Sequence, residues 1–251
     1  MAIDMEKMRA RQVALKNTGN GTSNRFWRPQ DGEQTVRIVC SVDGDPFRDY
    51  WFHYNVGDLP GFLSPKRNFG EDCPLDNYVK QLWKEGSEES KRVAKKLGAR
   101  QRFFAPVLVR GEESEGVKVW GFGKRTYETL LGLVLNPEYG DITDPETGTD
   151  LVIGYGKPAG ATFPETKITP RRKSSPIHKD SDRVVELMDD VPDWDELFEN
   201  GRKTSEEVGD ILSAYLSGEE PSETETAVTT GATTETANGN SVDKAFSELL
   251  G

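Results

Sequence analysis

Cations and aromatic rings alternate along the part of this chain where chemistry is to be looked for. Arg25, Trp27, Arg28, Arg37, Tyr50, Trp51, Phe52, Arg100, Arg102, Phe103, Phe104, Trp120, Lys124 and Arg125 fall on or beside segments of strand character. Unpaired bases stack on aromatic faces at about 1–3 kcal/mol each while lysine and arginine track the phosphates, so the combination suits a single-stranded nucleic acid. A duplex reader needs no stacking platform. Strand side chains alternate between faces, so one ring of each adjacent pair, Trp51 with Phe52 and Phe103 with Phe104, is expected inside and the other toward a ligand. Catalytic signatures are missing. There is no P-loop, dinucleotide fingerprint, HExxH or GxSxG motif, and only His53 and His178 are present as histidine bases. The carboxylates lie in hydrophilic runs expected to be solvated faces, so no enzyme is expected.

The elements that must position these residues are short. Met1 to Lys16 alternates charge with apolar residues and stops at the GNG of Gly19–Gly21, which predicts a basic N-terminal helix within residues 1–20. Strands are expected at Thr35–Cys40 and Tyr50–Tyr54, separated by the turn signal DGDP, and at Phe103–Val109, Val117–Phe122, Leu151–Tyr155 and Thr162–Ile168. Pro106 inside the strongest of these suggests an edge or a bulge. Leu59–Pro74 has no periodicity and reads as an irregular excursion. Asn77–Leu97 reads as two charged helices broken at Gly86, with Val79, Leu82 and Trp83 in a thin apolar stripe. Lys124–Leu135 looks helical. Short strands with irregular helices between them predict a mainly β fold with α additions rather than a Rossmann sheet.

The charge is unevenly placed, and its placement decides what it means. The formal net charge is −11, yet residues 1–178 hold 27 Lys and Arg against 24 Asp and Glu. The acid is C-terminal: residues 179–203 carry 4 cations against 9 acids, and residues 204–251 carry 1 against 10. An acidic helical segment is expected over 179–216 and a disordered acidic tail over 217–251, whose Thr, Glu, Ala, Ser and Gly cannot repay the entropy of ordering. Val242, Phe246, Leu249 and Leu250 recur at helical spacing in the last eleven residues and read as a partner-binding hook. Two cysteines and no long apolar run point to a reducing, cytoplasmic setting with no membrane partner.

Four segments carry a family resemblance: TVRIV with Arg37, the region from His53 to FGEDCP, RFFAPVLVRG followed by GVKVWGFGKR, and DPETGTDLVIGYG. In this order they resemble the single-stranded DNA-binding proteins of T-even-type bacteriophages. The resemblance implies a five-stranded oligonucleotide-binding barrel over residues 21–178 with an inserted loop and helix lobe near 55–98. It implies cooperative, sequence-independent coating of single-stranded DNA in phage replication, recombination and repair, in the host cell cytoplasm. The N-terminal arm would then carry self-association along DNA, and the tail would recruit replication and recombination proteins while competing for the groove.

The family's lobe carries a structural zinc held by one His and three Cys. The matching positions here are His53, Ser64, Cys73 and Asp76, so two thiolates are gone. Serine is a poor zinc ligand and a closed structural site needs four good donors. No cofactor is therefore expected, and the lobe should be held by Phe62, Phe69, Leu75 and Leu82, with His53 bonded to a nearby carboxylate or facing the DNA. Phosphates are expected along Arg37, Lys66, Arg67, Arg100, Arg102, Lys124 and Arg125, and bases on Trp51, Phe104, Trp120 and Tyr155. A competing reading makes the core a passive barrel and the protein an acidic-tailed scaffold that recruits replication proteins; dispersal of Arg100, Arg102, Lys124 and Arg125 over different faces would favour it.

Overall fold

The most apolar run of the chain, FFAPVLV, is buried along its whole length, and the fold is arranged around it. The structure is a computed structural model that describes residues 25–217 apart from 41–43, 58 and 200. The expected N-terminal arm, the tail from residue 218 and the hook at Val242, Phe246, Leu249 and Leu250 lie outside the described residues.

Eight strands form one sheet: β1 (Phe26–Trp27), β2 (Gly32–Ile38), β3 (Arg48–Val56), β4 (Leu59–Leu63), β5 (Arg100–Val109), β6 (Lys118–Phe122), β7 (Leu151–Gly156) and β8 (Glu165–Pro170). Their order is β1-β6-β5-β2-β7-β8, with β3 pairing both β5 and β4. Only β1 with β6 is parallel. The fold is mainly β with α additions, as expected, but a closed five-stranded barrel is not what forms among the described residues. The path branches because β5 is long enough to take two partners on one side: Arg100–Phe104 pair with β3 and Val107–Val109 with β2.

Pro106 sits at that branch point, in a central strand rather than on an edge. Its carbonyl accepts from the Val39 N–H at 2.9 Å, and the donor it lacks falls where β5 passes from one partner to the other. The chemistry that marks an edge in most sheets is tolerated here because the partner changes.

Period-two alternation on β5 feeds two layers. Phe103, Ala105, Val107 and Val109 enter the main core with Trp27, Trp120, Phe122, Leu151 and Ile153. Helix α4 (Lys124–Val134) closes that core, packing against β5 and β8 through Leu130 and through Tyr127, which stacks on Phe103 at 4.1 Å. On the opposite face, Phe104 packs with Phe52, Leu63 and Val119 under α6 (Trp194–Glu199), and Leu108 packs with Val39 and Val117 under α5 (Ser181–Asp189).

The lobe follows β3. Residues expected to be irregular form β4 and a short helix α1 (Pro65–Phe69), because Ser64 caps α1 by accepting from the Arg67 N–H and Gly70 ends it at φ 72°. Helices α2 (Pro74–Glu85) and α3 (Glu88–Leu97) are separated at Gly86, where φ is 75°. Their apolar stripes pack with Val56, Phe62 and Cys73, and Val208 of α7 (Ser205–Ser217) completes the cluster. Phe69, expected in this core, is instead partly exposed beneath the Arg202 guanidinium at 4.3 Å. The three helices of the acidic segment each seal a different apolar cluster.

Candidate nucleic-acid interface

Two concavities carry exposed cations beside aromatic rings. The first is a cleft of about 240 Å³ where β1, β5, β6, β7, β8 and the start of α4 converge, lined by Trp27, Arg28, Arg102, Trp120, Tyr155 and Thr166, with Gly121 and Gly123 in its floor. Helix α4 begins at Gly123, which supplies no side-chain cap, and its first turn holds Lys124 and Arg125 with no acid. First-turn amide N–H groups have no partner within a helix, and with two cations there they make this end locally positive, a setting that attracts anions. Lys124 and Arg125 are exposed, between lining residues Gly123 and Thr126, and Lys124 has a loose 3.8 Å contact to Glu128. Arg102 brings a buried Nε with no hydrogen-bond partner.

The second is a groove of about 540 Å³ on the lobe, lined by Lys66, Arg67, Asp76, Val79, Lys80 and Trp83. Trp51 stands beside it, half-buried, with the Arg67 guanidinium 5.1 Å over its ring. Asn68 fixes the Trp51 backbone from both sides, accepting from its N–H at 2.9 Å and donating to its carbonyl at 2.8 Å. Trp83 is 47% exposed. It leaves the apolar stripe in which its spacing placed it, because only Val79 and Leu82 of the three are buried in the lobe core.

Of the residues expected to contact DNA, Arg102 and Tyr155 meet in the first cleft with Lys124 and Arg125 at its rim, and Lys66, Arg67 and Trp51 gather at the second groove. Arg100 is exposed outside both linings; it shares a face of the β3–β5 pair with Arg102. Three expectations are corrected. Arg37 has no exposed surface: it forms a 2.9 Å ion pair with Asp150 and donates to the Ser175 carbonyl at 2.6 Å and the Asp144 carbonyl at 3.3 Å. Burial pulls its pKa below the usual arginine value against the pull of Asp150. Phe104 is wholly buried under α6, and Phe103 is buried under α4, so this pair has no outward ring. Trp120 walls the first cleft at 2% exposure, edge-on to Trp27 at 5.7 Å, and offers no free face. The expectations missed Lys80 and Trp83, whose i, i+3 spacing on α2 was legible, and Thr166, which only the strand order brings to the cleft beside Arg28.

The positions at which the resemblance implies zinc converge in the lobe. His53, Cys73 and Asp76 place three donor atoms within 4.8 Å of one another. His53 Nε2 lies 3.4 Å from Asp76 Oδ2 and 3.8 Å from Cys73 Sγ, close to the edges of about 3.3–3.8 Å that zinc bond lengths set in a tetrahedron. The fourth position breaks the pattern. Ser64 Oγ donates to Asp76 Oδ2 at 2.6 Å, too close for two ligands of one ion, and accepts from the Arg67 N–H at 3.1 Å. Among the described residues the buried side-chain atoms without a partner are on Arg37, Tyr54 and Arg102, none in this cluster. The donor set does not fit a closed structural zinc site.

Electrostatics in the cluster predict a pH dependence. Burial lowers the His53 pKa, but the hydrogen bonds to Asp76, Cys73 and Leu97 outweigh it and raise it from 6.5 to about 9. Burial raises Asp76, and the bonds from His53 and Ser64 bring it from 3.8 down to about 2. The His53 contribution to stability is complete below its unfolded value of 6.5 and lost as pH rises through about 9; that of Asp76 is complete above 3.8 and lost as pH falls toward 2. Melting temperature is therefore expected to fall between pH 7 and 9 in the wild type, and a His53→Gln variant should lose that slope. An unchanged slope in the variant would assign it to other groups.

No curated protein matches this chain. The family model described as gp32 DNA binding protein like matches residues 30–210, which take in the lobe with its groove, most of the lining of the first cleft and the acidic helices as far as Asp210. With most of the chain matched and no catalytic signature in it, this protein belongs to the gp32-like DNA-binding protein family.

Proposed function

We propose that this protein coats single-stranded DNA without reading its sequence. The observation that carries the reading is the cleft in which Arg102 and Tyr155 meet beside the uncapped, cationic start of α4. A second cationic and aromatic groove at Lys66, Arg67, Trp51 and Trp83 lengthens the footprint. Phosphates lie against the cations and bases stack on Tyr155, Trp51 and Trp83, which read a π-face common to every base. The N-terminal arm links neighbouring copies along the strand. The acidic tail, which carries seven carboxylates against one lysine over residues 218–251, recruits replication and recombination proteins and competes with DNA for the cations.

Titration of intrinsic tryptophan fluorescence tests this. Oligo(dT) is expected to quench Trp51 and Trp83, with duplex DNA far weaker. Five cations, Lys66, Arg67, Arg102, Lys124 and Arg125, predict a log–log salt slope near −3.5 and a loss of about 100-fold in affinity from about 50 to about 200 mM salt. Removing residues 218–251 should tighten binding, since a tethered polyanion acts at high effective concentration. A flat salt response, or equal affinity for duplex, would overturn the binding mode; unchanged affinity after truncation would remove the competition by the tail.

A further inference from the structure

We propose that the inserted lobe is closed by a side-chain hydrogen-bond cluster of His53, Ser64, Cys73 and Asp76 that stands in place of a structural metal and needs none. The four residues come from separate parts of the lobe. His53 is on β3, Ser64 joins β4 to α1, Cys73 precedes α2, and Asp76 lies in the first turn of α2. The end of α3 is included as well: His53 Nδ1–H donates to the Leu97 carbonyl at 2.8 Å, since a carbonyl can only accept. The other ring nitrogen faces Asp76 Oδ2 and Cys73 Sγ. Every element of the lobe except β4's outer end is thus tied to one buried imidazole or its first partners.

The two residues that break the zinc pattern, Ser64 and Asp76, bond to each other in this cluster. Ser64 caps α1 while donating to Asp76, a bifunctional role a metal-bound thiolate does not fill. Cys73 caps α2, its Sγ accepting from the Asp76 N–H at 3.5 Å. The cluster sits in an apolar shell of Phe62, Leu75, Val79 and Leu97, where hydrogen bonds are strengthened and an unpaired group is costly. A lobe this small has little core of its own. Val208, Ile211, Leu212 and Tyr215 of α7 extend that core from outside, reducing what a metal would have to contribute.

The test uses the full chain. Metal analysis of the purified protein is expected to give well under one zinc per chain, and a chelator should leave both the melting temperature and oligo(dT) affinity unchanged. Added Co²⁺ alone should not produce the visible absorption of a tetrahedral thiolate site. In a Ser64→Cys/Asp76→Cys variant, which restores one imidazole and three thiolates, about one zinc per chain is expected together with a chelator-sensitive melting temperature. One zinc per wild-type chain whose removal lowers the melting temperature, or a tetrahedral Co²⁺ spectrum from the wild type, would overturn the proposal. The wild-type measurements decide the matter if the double variant does not fold.

Discussion

Replacing Arg37 with methionine is expected to lower the unfolding free energy by roughly 3–5 kcal/mol, the cost of breaking a buried ion pair from one side, with a fall of about 10 °C in melting temperature for a chain of this size. The residue has no exposed surface, and its guanidinium joins distant pieces of chain. It pairs with Asp150 and reaches the Ser175 hydroxyl at 2.9 Å as well as the carbonyls of Ser175 and Asp144. Asp150 is shared with Arg110 at 2.9 Å, so the carboxylate keeps one partner when Arg37 is lost. The Asp144 carbonyl likewise keeps the Gly148 N–H at 2.9 Å, whereas the Ser175 carbonyl loses its 2.6 Å donor. Gly148 records how tightly this region is packed around the guanidinium, since an added Cβ there would meet Arg37 Nη1 at 2.9 Å and the Ile142 carbonyl at 2.7 Å. Below its melting temperature the variant should bind oligo(dT) with the wild-type salt slope. A stable variant whose slope falls by about 0.7 would instead make Arg37 a phosphate contact.

The opposite pattern is expected from Arg102→Gln/Lys124→Gln/Arg125→Gln. Removing three phosphate contacts should reduce the log–log salt slope by about 2 and weaken oligo(dT) binding roughly 10²–10³-fold at low salt. The effect on stability should stay near 0.5 kcal/mol, the usual range for surface substitutions. Lys124 and Arg125 are exposed in the first turn of α4, where cations oppose the helix dipole, so glutamine there removes a mildly unfavourable interaction with the helix. Arg102 is half-buried with its Nε unpartnered, and a neutral side chain leaves no broken ion pair behind. Loss of binding with an unchanged salt slope would place the phosphates elsewhere, at the lobe groove first. The two variants thus separate structural from ligand-facing cations by independent measurements, one in unfolding and one in salt dependence.

Much of the architecture was legible in the residues because its signals are local. Alternation marked β5, β6 and β7, Gly86 marked the break between α2 and α3, and the charge count separated a near-neutral core from acidic C-terminal segments. Three short elements, β1, β4 and α1, were not legible. β4 and α1 have almost no periodicity, and they form because β3 offers β4 a partner and Ser64 with Gly70 defines the ends of α1.

For the site, the sequence by itself determined the inventory: cations and rings in a strand-rich core, no catalytic motif, and a zinc pattern reduced to His53 and Cys73. Tertiary structure alone decided which of these face outward. Phe104 is covered by Phe198 at 4.8 Å and Phe103 by Tyr127 at 4.1 Å, from helices far apart in the chain. Arg37 is neutralised by an aspartate more than a hundred residues on. Alternation states which side chains share a face; whether that face meets solvent depends on the layer laid over it, and that layer comes from elsewhere in the chain. The same holds in the lobe, where Ser64 and Asp76 read as lost ligands one at a time and become hydrogen-bond partners only when the fold brings them 2.6 Å apart.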